Sequence, residues 1–552
     1  MGHQTFAVRS AVLIVWAVMS AGATSAAQPQ TSPPPETEAA LPAQLQDFDA
    51  YVEGVRKQFD VPGIAVVIVK DGEIVLERGY GLRLLDQTTP VDAHTLFAIA
   101  SNTKAFTAAA LSILADESKL DLDDRVIDHL PWFQMSDPYI SREMRVRDLL
   151  VHRSGLGLGA GDLLFWPGTE YSTEDIARRL RYVPIDGGFR SQYAYDNILY
   201  SVAQLVIEKL SGQTYAQFLK SRIFGPLGMD ETRFNSDALR PDDNVATGYS
   251  KADFKTLVPA PRMAWDNVSA AGGVYSSVHD MSKWLRMQLN GGVIATGTGD
   301  GKRLFSAKRQ HAMWSVVTPI PVGEPAVPEL AAANPDFAGY GEGWFLSDYR
   351  GNKLVWHTGG WPGMVSRVTM LPEQKLGIVV LTNAEVPGAF HAVTMRALDA
   401  FIDAPRTDWT AAYAAAQGKS QDKADTDWQK HLAARDADSR PSLPLADYAG
   451  TYRDPWYGDV VIAAQGGKLM MRFLPSKDLV GEMTHWQNDT FVVRWNDRWL
   501  NADAFVNFAL TQDGEIRNAR MEAISPLTDF SFDFHHLRLT PVGADKATGA
   551  AQ

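Results

Sequence analysis

Strand-forming runs in this chain fall into two groups on either side of a long, mainly helical stretch, and that arrangement limits the folds open to it. The first group is Ile64-Ala65-Val66-Val67-Ile68-Val69 and Ile74-Val75-Leu76, joined at Asp71-Gly72, a dipeptide suited to a tight hairpin. The second group is Gly343-Trp344-Phe345-Leu346, Lys353-Leu354-Val355-Trp356, Val365 to Met370, and Gly377-Ile378-Val379-Val380-Leu381. Between Leu120 and Leu289 the apolar spacing is helical. Ile198, Val202, Leu205, Val206 and Leu210 form one stripe closed by Gly212, and Ser172 with Asp175 has the spacing of a cap. Leu45, Phe48, Val52, Val55 and Phe59 predict an amphipathic helix before the hairpin, and a further helix is expected from about Phe390 to Ile402. The economical fold is α/β (α+β) over residues 41–404. Its antiparallel sheet takes strands from both ends of the domain, is flanked by helices, and carries a helical insertion.

The texture changes after that. Residues 405–442 are rich in Ala, Asp and Lys and end in prolines, so a partly helical linker is expected. Residues 443–542 read as a small all-β, barrel-like domain. Its expected strands are Val460-Val461-Ile462, Leu469-Met470-Met471, Phe491-Val492-Val493, Phe505 to Phe508 and Phe532 to Leu539, with turns at Gln465 to Lys468, Gln487 to Asp489 and Gln512 to Gly514. At the N-terminus, Arg9, the short apolar run Ala11 to Met19 and Ser25-Ala26-Ala27 have the pattern of a secretory signal over 1–27. Residues 28–40, rich in Pro, Thr and Gln, and the tail 543–552 read as disordered. A periplasmic or secreted protein follows, with no stable membrane insertion once the signal is removed. The net charge of −13 lacks the basic stripe that nucleic acid requires. The chain has no cysteine, which excludes disulfides, thiolate metal sites and a cysteine nucleophile.

Chemistry concentrates at Ala98-Ile99-Ala100-Ser101-Asn102-Thr103-Lys104. If this segment is helical, Ser101 and Lys104 lie one turn apart on one face, and the amine can take the hydroxyl proton. The spacing alone is weak, since Ser420-Gln421-Asp422-Lys423 repeats it in a polar stretch with no apolar face. An active serine also needs a second proton carrier and donors for an oxyanion. Tyr195-Asp196-Asn197 sits in a loop before the Ile198 helix, where a phenol and an amide can both enter a cleft. His357-Thr358-Gly359-Gly360 ends a strand, and the Gly360 amide can donate to an oxyanion beside the amide of Ser101. His152 and His279 belong to no ligand cluster and read as structural, and no zinc-hydrolase His pattern or Gly-x-Ser-x-Gly elbow occurs.

Ser101-x-x-Lys104, Tyr195-x-Asn197 and His357-Thr358-Gly359, in that order, resemble the penicillin-recognising serine hydrolases. That group includes class C β-lactamases, D-alanyl-D-alanine carboxypeptidases, D-aminopeptidases and family VIII esterases. Arg147 to Leu156 and Ala271 to Ser277 add to the likeness, which spans roughly Leu45 to Ala404. The all-β region resembles the lipocalin-like domain appended to some members. The resemblance implies a β-lactamase/transpeptidase-like fold, Ser101 as nucleophile, Lys104 as its proton acceptor and Tyr195 as proton shuttle to the leaving group. Asn197 would orient Lys104 or the acyl side chain. The third motif begins with His357 where lysine is commonest, as in several esterase and D-peptidase branches. A mostly neutral histidine holds a substrate carboxylate less well than a lysine.

The expected activity is an exported serine hydrolase working through an acyl-enzyme, without metal or cofactor, on small peptides or amides. Carboxylesterase action on small acyl esters comes next, then β-lactamase or D-alanyl-D-alanine carboxypeptidase action; a ligand-binding or sensor module is the non-enzymatic alternative. The partner expected is a small-molecule or short-peptide substrate, with oligomerisation through the β domain left open.

Overall fold

Successive residues of the strand Gly63–Lys70 (β1) point to opposite faces, and both faces are apolar. Ile64, Val66 and Ile68 enter one core, and Ala65, Val67 and Val69 enter another. Such a strand has no wet side, so its sheet must be covered twice. In the computed structural model, which describes residues 41–294 and 301–543, this is what happens. The expected signal peptide, the leader and nearly all of the tail lie outside the described residues.

β1 pairs with Glu73–Gly81 (β2) through a turn at Asp71 and Gly72, both at positive φ. The sheet adds Thr318–Ile320 (β3), Ala338–Tyr340 (β4), Phe345–Tyr349 (β5), Asn352–Trp361 (β6), Met364–Leu371 (β7) and Leu376–Thr382 (β8). The spatial order is β2-β1-β8-β7-β6-β5-β4-β3. Ile64 lies opposite Thr382, so strands from the two ends of the domain meet inside the sheet, as the sequence pattern predicts. β6 continues to Trp361, which puts His357 in mid-strand rather than at the strand end expected for it.

Helices Phe48–Gln58 (α1), Lys104–Asp116 (α2), Ile198–Ser211 (α3), Val278–Leu289 (α4) and Pro387–Phe401 (α5) supply the two covers. α1 and α5 fill one core; α2, α3 and α4 fill the other. Ser172 and Asp175 make a reciprocal capping box, and Gly212 closes α3 in the left-handed conformation. The segment read as a linker contains a 26-residue helix, Trp409–Ala434 (α6). Trp409 anchors it in the core beside α5, and its Nε1 donates to Asp399 at 2.7 Å. The Ala, Asp and Lys that follow hide that anchor in the sequence.

The C-terminal strands are Gly450–Asp454 (β9), Gly458–Gln465 (β10), Lys468–Phe473 (β11), Val480–Gln487 (β12), Thr490–Trp495 (β13), Ala504–Leu510 (β14), Ile516–Ala523 (β15) and Thr540–Pro541 (β16). They form one sheet in the order β15-β14-β13-β12-β11-β10-β9-β16. Leu539 exchanges backbone bonds of 2.8 and 3.1 Å with Ala519 of β15, while β16 pairs with β9. The barrel is thereby nearly closed, and its edges are covered.

Phe532 to Leu539 is not the strand expected from its sequence. It is a loop with a 3₁₀ turn at Phe534–His536. Phe532, Phe534, Leu537 and Leu539 are buried, and the spacing of the first two imitates a strand. The polar residues between them are what bend it, because they tie the barrel to the larger, N-terminal part of the fold. Asp533 accepts from the Gly161 amide at 2.6 Å, and the His536 ring lies between Asp533 and Asp186. Arg498 with Asp253, and Asn501 with the Lys251 carbonyl, dock a second edge.

Burial opposes the charge on His536, but the carboxylates of Asp533 and Asp186 outweigh it and raise its pKa to about 9. An unfolded imidazole titrates near 6.5, so the folded state holds this proton more tightly. The stabilisation is complete below about pH 6.5 and is lost as pH rises through about 9. His536→Gln should lower the thermal midpoint by roughly a few degrees at about pH 6 and hardly at all above about pH 9.5. Melting curves at the two pH values check this, and equal losses at both would exclude the ion pair as the cause.

Candidate active site

Ser101 stands where a strand, a turn and a helix meet. Phe97–Ala98 pairs with Tyr275–Ser276, Ala100–Thr103 forms a 3₁₀ turn, and α2 begins at Lys104. Ala100 has φ 45°, in the left-handed region that residues with a Cβ avoid, so its neighbours must hold the turn. They do so through Ile99, whose carbonyl accepts from Ser366 Oγ at 2.8 Å and whose amide donates to Val274 O at 2.9 Å. Gly359 of β6 presses on the same turn. A Cβ there would lie 2.1 Å from Ile99 O and 3.0 Å from Ala100 Cβ, so only glycine fits.

Lys104 is fully buried. Its Nζ lies 2.7 Å from Asn197 Oδ1, 2.9 Å from Ala271 O and 3.1 Å from Ser101 Oγ. Burial lowers its pKa from 10.5 to about 7, against the opposing pull of Asp162 and Asp196. The amine is thus poised to accept a proton near neutrality. Ala271 is presented by the turn Ser269–Gly272, and Asn197 stands at the N-terminus of α3.

Tyr195 lies in the loop before α3, lining the same cavity as Ser101, with its ring 4.9 Å from Lys104 Nζ. Burial raises its pKa well above the ordinary phenol value, while the Ser101 hydroxyl opposes that shift. His357 has both ring nitrogens engaged: Nδ1 with Thr358 O at 2.6 Å, and Nε2 with the Tyr340 hydroxyl at 2.8 Å. Burial, and then the Lys104 charge, hold its pKa well below the imidazole range. With Nδ1–H donated to the carbonyl, Nε2 accepts from Tyr340 and the ring is neutral. The structure therefore gathers Ser101, Lys104, Tyr195, Asn197 and His357 in one place. All but Lys104 line a cavity of about 290 Å³ together with Gly360, whose backbone reaches it from β6. Trp166, Trp265, Phe165, Tyr193, Phe345 and Phe530 make its walls largely aromatic. Trp361 packs against Trp265, with tilted rings whose centroids are 3.9 Å apart, and does not line the cavity.

Three features escape the sequence reading. His152 is fully buried, packs against the Tyr195 ring at 4.2 Å and accepts from the Asp196 amide through Nδ1. Its loop is built on buried Asp148, which accepts from Arg153 and Arg190. Asp162 is also buried, and its Oδ2 accepts from Asn197 Nδ2 at 2.7 Å. Finally, Asp529, Phe530 and Ser531 of the C-terminal region line the cavity, with Phe530 edge-on to Tyr195. The polar Ser-x-x-Lys is different in kind: on α6, Ser420 bonds the Ala416 carbonyl and Lys423 pairs with Asp427. Among the described residues, one cluster has metal-ligand spacing, Asp533, His535 and His536. It is the docking cluster, where Asp533 is already committed to His536 and to the Gly161 amide.

Comparison with known proteins shows the family and the fold. The family model described as Beta-lactamase matches residues 48–401, and that of a domain of unknown function, DUF3471, matches 434–541. The chain is 28% identical over 470 residues to Unguisins hydrolase ungD of Aspergillus violaceofuscus (strain CBS 115571), covering 77% of each protein. It is 28% identical over 339 residues to Protein flp of Staphylococcus aureus (strain MW2), covering 61% of this chain and 63% of that one. Similar solved structures include an octameric penicillin-binding protein homologue from Pyrococcus abyssi, with TM-score 0.56, 22% identity, and coverage of 90% of this chain and 99% of that one. Another is a D-amino acid amidase from Ochrobactrum anthropi SV3 complexed with D-phenylalanine, with TM-score 0.52, 23% identity, and coverage of 65% and 100%. These structural likenesses speak to the fold.

Gly359→Ala should displace the Ser101 turn, because a Cβ cannot share space with the Ile99 carbonyl. A loss of about 2 kcal/mol or more in denaturant unfolding is expected. Parent-like stability would mean that the turn yields to the strand at no cost.

Proposed function

The chain belongs to the beta-lactamase family, and from that premise we propose that it is an exported serine hydrolase forming an acyl-enzyme on Ser101 with small peptides or amides. The observation that carries this reading is the contact of 3.1 Å between Ser101 Oγ and a buried Lys104 amine with a pKa near 7. As Oγ bonds to the substrate carbonyl carbon, its proton passes to Nζ. The oxyanion is met by the amides of Ser101 and Gly360. Collapse breaks the C–N bond, the leaving nitrogen takes a proton from the Tyr195 hydroxyl, and the proton that Lys104 accepted from Ser101 replaces it on Tyr195. Water then attacks the ester and the steps run in reverse order.

The lining supports the choice of substrate. It is aromatic and has no Lys or Arg among the described residues; it includes Asp529, and His357 is neutral. A substrate whose recognition depends on a carboxylate, such as a β-lactam or a D-alanyl-D-alanine terminus, finds no cation there. An uncharged or amine-bearing amide meets no such mismatch, and the hydrolase and amidase among the similar proteins point the same way. Small acyl esters suit the same apolar walls, so carboxylesterase action is the second reading.

A fluorophosphonate probe should label the parent chain, with a rate that rises with pH through about 7 as Lys104 becomes neutral, and should not label Ser101→Ala. A D-amino-acid p-nitroanilide should be turned over faster than p-nitrophenyl butyrate, and nitrocefin slowest. Absence of labelling in folded parent protein would favour a binding module, and fastest turnover of nitrocefin would reverse the substrate order. Export rests on the N-terminal pattern alone. The protein recovered from its native host should begin at or close to Gln28 by N-terminal sequencing, and a mature chain starting at Met1 would refute cleavage.

A further inference from the structure

The base is oriented by a row of buried polar groups that crosses from one domain to the other. Lys104 Nζ donates to Asn197 Oδ1 at 2.7 Å. The Asn197 amide nitrogen donates to Asp162 Oδ2 at 2.7 Å. Ser531 Oγ donates to the same Oδ2 at 2.9 Å. Asp162 Oδ1 has no hydrogen-bond partner, so these two donors are all that its carboxylate receives from side chains. Asp162 is fully buried and Ser531 is nearly so. Water cannot substitute cheaply for either donor.

We propose that Ser531, on the C-terminal barrel's inserted segment, is a positioning residue of the hydrolase, holding Asp162 so that Asp162 holds Asn197 and Asn197 holds Lys104 against Ser101. The role rests on the reading of Ser101 and Lys104 as nucleophile and base. It assigns the barrel a direct part in the chemistry of the other domain.

The arrangement fixes both geometry and charge. Without the Ser531 donor, Asn197 is the sole side-chain donor to Asp162, and the carboxylate becomes harder to keep ionised. Burial already pushes the Asp162 pKa up, while Asn197 and Ser531 hold it down. Asp162 and Asp196 are the negative charges that raise the Lys104 value, and Asp533 faces Asp162 from the barrel. The remaining groups around the amine are uncharged: the Tyr195 and Tyr200 rings, the Ala271 carbonyl, and the neutral imidazoles of His152 and His357. Weakening the ionised form of Asp162 therefore lets the amine lose its proton at lower pH.

The test is the pH dependence of fluorophosphonate labelling in the full-length chain, from about pH 5 to about pH 9. Ser531→Ala should label about tenfold more slowly, and its half-maximal pH should fall by about 0.5 to 1 unit. Asp162→Asn should shift in the same direction and at least as far. Ser531→Thr, which keeps the donor, should stay within about threefold of the parent rate with the parent midpoint. Ser531→Ala with parent rate and midpoint would overturn the proposal. So would slower labelling with an unmoved midpoint, which would mean packing alone. If circular dichroism shows Ser531→Ala unfolded, Asp162→Asn decides by the same criteria. An unlabelled parent chain overturns the hydrolase reading and this one with it, whereas a labelled parent with an unaffected Ser531→Ala overturns this one alone.

Discussion

The desolvation of one amine governs the rest of the site. Lowering a lysine from 10.5 to about 7 corresponds to about 5 kcal/mol against its cationic form. Only a protein environment that keeps water out can impose that. The neutral amine has two protons and one lone pair, and three oxygens surround it. The shorter contacts, to Asn197 and the Ala271 carbonyl, take the protons. The contact to Ser101 is left for the lone pair, which is the geometry a base needs. The left-handed Ala100, Gly359 with its missing Cβ, and the turn that presents Ala271 all exist to bring those oxygens to that nitrogen.

Sequence periodicity is a local property, and the local parts of this molecule were legible from it. The alternation in Ile64 to Val69, the Asp71-Gly72 turn, the Ser172 cap and the Gly212 stop each depend on neighbours within a few residues. The ordered triple of motifs pointed to Ser101, Lys104, Tyr195, Asn197 and His357, which the fold gathers in one place, because each lies in a run of distinctive residues. Where local pattern and tertiary demand disagree, the pattern misled. Phe532 and Phe534 alternate like a strand, yet the residues between and after them are spent on Gly161 and Asp186. Asp162 and Ser531 could not be read at all, since a single polar residue has no spacing and these two meet across 369 positions.

The polar and apolar contacts between the two domains do different work. The buried cluster running from α2 into β9 to β15 supplies bulk hydrophobic stabilisation, which is tolerant of small shifts. The bonds at Gly161, Asp162 and Asp186 are directional and tolerate little. All three lie on loops that also carry the Tyr195 backbone contact, since the Gly159 amide donates to the Tyr195 carbonyl at 2.8 Å. The docking of the barrel and the placement of Tyr195 are therefore set by one group of bonds.

The dryness of the Lys104 site then depends on the barrel as well. The Tyr195 ring lies 4.9 Å from the amine, Phe530 packs edge-on against that ring, and the Phe530 carbonyl lies 2.7 Å from where a Gly159 Cβ would be. Withdraw the Asp529 to Ser531 segment and that packing, the Asp162 donor and part of the cavity wall go together. Water reaching Asn197 would stabilise the ammonium ion, and the base would be lost by protonation while every residue of the triple stayed in place. An appended domain remote in sequence can in this way control reactivity without touching the reacting atoms.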